Sequence, residues 1–272
     1  MEFLNLPHSG AHRKFKPIAI SNKLFSEPIA HRGYHDCGGS FGVGRTENSM
    51  SAFEAAIQKG FGIELDVQLT ADNIPVVFHD SHLQRLTGKN KYIRELKFSD
   101  LQNIKLFNGE TIPTFSAFLN LISGSVPILI ELKDQDGGLG ENVGSLETQV
   151  AKALEPYQGP AAIMSYNPNS MISLAQKLPE IPRGLVTEPF SPKVWPRVTK
   201  ERLDDLRAHK YLKKVQASFI SHYHRDLNSK HVERVSRFVS VLSWTIRNTV
   251  DMKLALKKSK NITFEGFNPR DY

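Results

Sequence analysis

Four short stretches of the chain carry the residues that could do chemistry. His31 and Arg32 follow one apolar run, and Glu64 and Asp66 sit inside a second. His79 and Asp80 close a third run, and Glu131 and Lys133 close a fourth. The pairs Glu64/Asp66 and Glu131/Lys133 are spaced i, i+2, which in a strand puts both side chains on one face. Three carboxylates sharing an inward face repel one another and are costly to bury unpaired. Two arrangements relieve this: salt bridges to Arg32 and Lys133, or a shared divalent cation. Ligands that are all oxygen favour Mg²⁺ or Ca²⁺ over zinc. His31 and His79 add acid–base capacity near neutral pH. Cleaving a phosphodiester needs that capacity twice, to take a proton from the attacking oxygen and to give one to the leaving alkoxide. Asp80 either orients His79 or caps a turn.

The elements that must position these residues are nine apolar runs, at 28–33, 61–67, 74–80, 127–133, 161–166, 183–188, 217–222, 239–246 and 261–267. Polar, helix-like stretches separate most of them, the pattern of a parallel sheet with helical crossovers. Between Val67 and Ile74 there is no room for a crossover of about a dozen residues. That segment reads as a hairpin turning at Asp72-Asn73, which returns His79 to the strand ends. Eight strands remain for a TIM (β/α)8 barrel, whose active site lies at the C-terminal strand ends. The domain reading is an N-terminal extension over 1–27 and one barrel over 28–272, with a small insertion at about 81–112. Thr114 is placed as the cap of the next helix. The segments 38–44 and 136–144 read as glycine-rich loops on the same face.

Composition fits this reading. The chain has 272 residues, 40% hydrophobic and 23% charged, enough for one large barrel. No apolar run approaches the roughly 20 residues of a membrane span, so stable membrane insertion is not expected. No basic start with a long apolar stretch marks a secretory leader. The single cysteine, Cys37, excludes an internal disulfide and a cysteine-rich zinc site. Together these predict a cytoplasmic setting. The net charge of +7 is read as a solvated surface, because the lysine clusters lack interleaved aromatics; nucleic acid is not an expected partner. The loop 38–44 lacks the following Gly-Lys-Ser/Thr of a nucleotide-binding loop.

The ordered series HRG (31–33), TENS (46–49), IELDVQLTADNIPVVFHD (63–80), RLTG (85–88), IPT (112–114), IELK (130–133) and WT (244–245) resembles the glycerophosphodiester phosphodiesterase family, from about residue 28 to 267. The resemblance implies a TIM barrel with a small insertion. It implies that Glu64, Asp66 and Glu131 hold one divalent cation, Mg²⁺ or Ca²⁺, and that His31 and His79 are general acid and base. By the same resemblance Arg32 and Lys133 contact phosphate oxygens. Glu47 lies beside the site, binding substrate or holding the metal or its neighbours, and Trp244 forms an apolar wall. The ending NITFEGF and the long loop after Gly33 depart from the commoner pattern and look like a branch among bacterial members. In that branch His222 and Glu265 project toward the site.

The expected activity is hydrolysis of a small-molecule glycerophosphodiester to glycerol 3-phosphate and an alcohol. A lysophospholipase D-like or sugar-phosphodiester hydrolase would use the same site. A non-catalytic phosphate-binding barrel is the alternative of another class, and a pure binder has no need of two histidines.

Overall fold

The computed structural model describes residues 17–36, 44–135 and 137–271. Cys37 and most of the loop at 38–44 lie outside them, as do residues 1–16 of the N-terminal extension. Nine strands form one sheet: β1 (Ile29–Ala30), β2 (Gly62–Leu69), β3 (Pro75–Val77), β4 (Ile128–Leu132), β5 (Ala161–Ser165), β6 (Arg183–Thr187), β7 (Phe219–Tyr223), β8 (Ser240–Ile246) and β9 (Asn261–Phe264). Eight of them pair in parallel, in the order β1-β2-β4-β5-β6-β7-β8-β9. The β9–β1 pairing closes the barrel.

The ninth strand is the expected hairpin. β3 runs antiparallel to β2, with Val67 opposite Val77 and Leu69 opposite Pro75. Asn73 takes the left-handed conformation at its turn (φ 61°), which asparagine tolerates better than most residues. β2 is longer than its apolar run suggested, because it keeps pairing with β3 beyond Asp66. β1 and β9 are shorter, because the chain turns sharply at Arg32-Gly33 and again beyond Phe264.

Alternation along the strands separates two cores. Ile63, Leu65 and Val67 face outward with Ile128, Ile130 and Leu132, against the helices. Ile29, Leu129, Ala162, Met164, Val186, Phe219 and Leu242 fill the barrel interior. Phe219 fits there because its neighbour on β6 is Gly184, where a Cβ would come within 2.4 Å of its ring. The small residue opposite the large one is a packing requirement of a barrel this narrow. Helices Met50–Lys59, Phe115–Ile122, Ser145–Leu154, Pro168–Lys177, Lys200–Arg207, Lys230–Val235 and Thr249–Ala255 cover the outside. Thr114 caps the second of these, accepting from Ala117 N at 3.0 Å.

Residues 81–112 carry short helical turns and a small core of their own, in which Leu83, Leu86, Ile93, Leu101 and Ile112 pack on Val76 and Phe78 of the hairpin. Glu110 returns from this segment to the start of helix Met50–Lys59, where Ser51 N donates to it at 3.1 Å. The segment is therefore tied to the barrel rim. Among the described residues no helix is long and apolar enough to cross a membrane.

Candidate active site

The alternation that packs the core also aims the site. On β2, with Ile63, Leu65 and Val67 outward, Glu64 and Asp66 must point in. On β4 the same parity turns Glu131 and Lys133 inward, and on β1 it turns His31 inward. Glu64, Asp66 and Glu131 each offer one oxygen, all within 4.8 Å of one another. Glu64 and Glu131 line a cavity of about 180 Å³ together with His31, Arg32, His79, Lys133 and Trp244, and Asp66 lies next to them behind that lining. Larger hollows exist elsewhere, one of about 880 Å³ at the opposite end of the barrel. That one is lined by Pro17–Ile20 and by lysines and serines of 236–260, with none of the carboxylates above.

The salt bridges considered from sequence do form. Lys133 Nζ lies 2.7 Å from Glu131 and 3.3 Å from Asp66, and Arg32 Nε lies 3.4 Å from Asp66. They do not satisfy Glu64. Its contacts are the Arg32 backbone N–H at 3.0 Å and His31 Nε2 at 4.0 Å. Burial, then Asp66, then Glu131 push the Glu64 carboxyl well above the usual carboxylate range. Burial acts on Asp66 in the same direction, but Lys133, His79, Arg32 and a hydrogen bond from Asn48 outweigh it and hold Asp66 far below. Two cations thus fall short of neutralising three converging carboxylates, and Glu64 is left without a cationic side-chain partner. Three hard oxygen donors, one of them held from ionising by its neighbours, fit a divalent cation that would let all three ionise.

Each histidine is held by a carboxylate. His31 Nδ1 is hydrogen-bonded to Glu265. Burial and then Arg32 lower the His31 pKa to about 4, so the ring is neutral. The Glu265 carboxylate, kept ionised by His31, His35 and Arg247 against its burial, can only accept. The proton therefore sits on Nδ1, and the Nε2 lone pair faces the carboxylate cluster. His79 Nδ1 lies 2.7 Å from Asp80. Its side chain is 32% exposed against 12% for His31, so His79 stands on the solvent side.

Residues that the motif reading passed over support these groups. Arg85 bridges Asp80 (2.6 Å) and Glu47 (2.7 Å). Asn48 Nδ2 donates to Asp66 at 2.8 Å. Arg32 and Asn48 both take left-handed backbone conformations (φ 55° and 56°), a sparsely populated region for such residues. Ser49 caps helix Met50–Lys59, so one turn delivers Glu47 and Asn48 to the rim and starts the helix.

Glu47 takes one of the roles expected of it, holding Arg32 beside the site, and the placement of His222 needs correction. Glu47 is not among the residues lining the cavity. It is buried between Arg32 (2.7 Å) and Arg85, and this pairing lowers its pKa to about 2 against the cost of burial. His222 faces away from the site. β7 extends to Tyr223, so Phe219, Ser221 and Tyr223 point in while His222 points out. There it contacts Thr187 Oγ1 (2.8 Å) and Asp226 (3.1 Å). Trp244 lines the cavity, donates to Ser221 O at 2.9 Å, and packs against Tyr223 and Tyr166 with ring centroids 5.6 and 6.2 Å away.

The profile of the glycerophosphoryl diester phosphodiesterase family matches residues 31–260. A Bacillus subtilis protein provisionally named as a glycerophosphodiester phosphodiesterase is 26% identical over 231 residues, 81% of this chain and 86% of that one. A glycerophosphodiester phosphodiesterase of Caldanaerobacter subterraneus is 30% identical over 168 residues, 58% of this chain and 65% of that one. Among solved structures, an Oleispira antarctica phosphodiesterase in complex with the product sn-glycerol-3-phosphate has the same fold. It has a TM-score of 0.71 and 24% identity, covering 92% of this chain and 96% of that one.

Proposed function

Because the chain belongs to the glycerophosphoryl diester phosphodiesterase family, and is therefore a phosphoric diester hydrolase, we propose that it hydrolyses glycerophosphodiesters to glycerol 3-phosphate and an alcohol by histidine acid–base catalysis with one divalent cation. The observation that carries this reading is the convergence of Glu64, Asp66 and Glu131 beside a cavity lined by Glu64, Glu131, His31 and His79.

The three carboxylates would hold Mg²⁺ or Ca²⁺, which when bound supplies electrostatic stabilisation of charge developing on the phosphate. Lys133 and Arg32 add fixed positive charge at the same place. His31, neutral with a free lone pair on Nε2, takes the proton from the attacking oxygen. Glu265, behind Nδ1, stabilises the imidazolium that results. His79, on the solvent side and oriented by Asp80, gives a proton to the departing alcohol. The attacking oxygen is either water or the neighbouring hydroxyl of the glyceryl group, and the second route passes through a cyclic phosphate. Trp244, with Tyr166 and Tyr223, forms the apolar wall against the organic part of the substrate. The single cysteine agrees with a cytoplasmic setting.

The test is release of glycerol 3-phosphate from glycerophosphocholine and glycerophosphoethanolamine by the purified protein, with Mg²⁺, with Ca²⁺ and with EDTA. Metal-dependent release is the expected result. A folded, metal-loaded protein that releases nothing from these or from other glycerophosphodiesters contradicts the reading.

A further inference from the structure

Metal-ligating atoms converge at a second place beside the first. His31, His35 and Glu265 each bring one ligand atom within 4.8 Å of the others. His35 sets this apart from a simple histidine–carboxylate pair. Its side chain is 3% exposed, and among the described residues neither ring nitrogen has a hydrogen-bond partner. Its Nε2 lies 3.6 Å from the Glu265 carboxylate, close enough to help keep that carboxylate ionised but longer than a hydrogen bond. Burying an imidazole with both nitrogens unsatisfied costs free energy, and such groups are uncommon.

The backbone fixes His35 there. Gly33 adopts φ 81° and packs on helix Met50–Lys59 so closely that a Cβ would stand 3.0 Å from Ala52. Tyr34 N then donates to Ala52 O at 2.9 Å and Asp36 N to Arg45 O at 3.0 Å. His35, between them, is pinned on both sides.

We propose that His31, His35 and Glu265 form a second metal site, one that takes a borderline cation such as Zn²⁺ and holds the enzyme inactive. Two imidazoles and one carboxylate are a zinc donor set, with a fourth position left for water. The neighbouring set is all oxygen and suits a harder ion, so the two sites differ in the metal that they prefer. The inhibitory consequence rests on His31 being the base. A cation on its Nδ1 takes the place of the proton there, and the neutral ring carries its single proton on Nε2 instead, with no net release. With Nε2 protonated and Nδ1 occupied, the ring cannot accept a proton from the attacking oxygen.

The test is a titration of the Mg²⁺-saturated protein with Co²⁺ as a spectroscopic stand-in for zinc. One equivalent is expected to produce the visible absorption of four-coordinate cobalt, and Zn²⁺ is expected to bleach it. His35→Gln is expected to lose the band. In activity assays the same variant is expected to weaken Zn²⁺ inhibition by at least about tenfold, as loss of a ligand or its partner does. Its Zn²⁺-free activity should persist. No band in the Mg²⁺-saturated wild type overturns the proposal. So does inhibition that is equal in both proteins and relieved by excess Mg²⁺, which would put zinc on Glu64, Asp66 and Glu131. If His35→Gln does not fold, the wild-type band alone decides. The cobalt measurement needs no turnover, so it stands apart from failure of the phosphodiesterase reading.

Discussion

His31 and Glu265 meet across the seam of the barrel, one just past the first strand and the other just past the last, with a hydrogen bond joining them. The β9–β1 pairing that closes the barrel brings them together. Closing the fold and fixing the tautomer of the proposed base are thus one event.

Glu265→Gln retains an acceptor but removes the charge that stabilises protonated His31. The expected result is a fall in kcat on the order of 10- to 100-fold with little change in KM, while His31→Ala costs on the order of 10²- to 10⁴-fold. Steady-state kinetics on both variants check this. A Glu265→Gln enzyme with wild-type kcat would remove Glu265 from the account.

Metal removal should act on stability as well as activity. A cation at 100 times its Kd stabilises the fold by about 2.7 kcal/mol, so EDTA should lower Tm. Glu64→Gln tests the site in the opposite sense. It removes the buried carboxyl that has no cationic partner, so the metal-free variant should be at least as stable as metal-free wild type, by up to about 1 kcal/mol. It should also respond less to added Mg²⁺. Thermal melts of both proteins, with and without metal, decide this.

Acid should weaken the rim before it unfolds the core. The Glu47 pKa lies near 2 when folded, against 4.5 ordinarily, with burial opposed by Arg85 and Arg32. A depressed carboxylate contributes stability above its unfolded pKa and loses it as pH falls through the folded one. The window is therefore about pH 4.5 down to 2, with a contribution on the order of 3 kcal/mol. Urea midpoints across that window should fall less steeply in Glu47→Gln than in wild type. Parallel slopes would show that the Arg32–Glu47–Arg85 bridge carries no such linkage.

Asn48 offers a test of metal affinity. Asn48→Ala loses the hydrogen bond to Asp66 and puts alanine at φ 56°. Stability should fall by about 1–2 kcal/mol and metal affinity by on the order of 10-fold. Calorimetric titration with Mg²⁺ or Ca²⁺ reads the second effect directly.

The barrel was legible because the strand runs were short, apolar and separated by helix-length stretches, and because the gap from Val67 to Ile74 allowed nothing but a hairpin. The inward carboxylates were legible because i, i+2 spacing leaves only two faces to choose from. His222 was misplaced because the sequence does not mark where β7 ends; one further strand residue, Tyr223, hands the inward position to its neighbour. Glu47 was read as binding substrate or holding the metal or its neighbours, because its motif lies beside the site, and the sequence did not choose between them. Arg85, nearly 40 positions later, is what buries it, and nothing local to either residue signals that contact. His35 went unnoticed because its meaning depends on Glu265 at the other end of the chain.

The central claim is that His31 takes a proton and His79 gives one. It is tested most directly with two esters of glycerol 3-phosphate, one leaving as choline and one as p-nitrophenol. Nitrophenolate departs without protonation. His79→Ala should therefore lose the choline ester while keeping most of its rate on the nitrophenyl ester, and His31→Ala should lose both. Equal losses on the two esters in His79→Ala, or retained turnover in His31→Ala, would contradict the assignment.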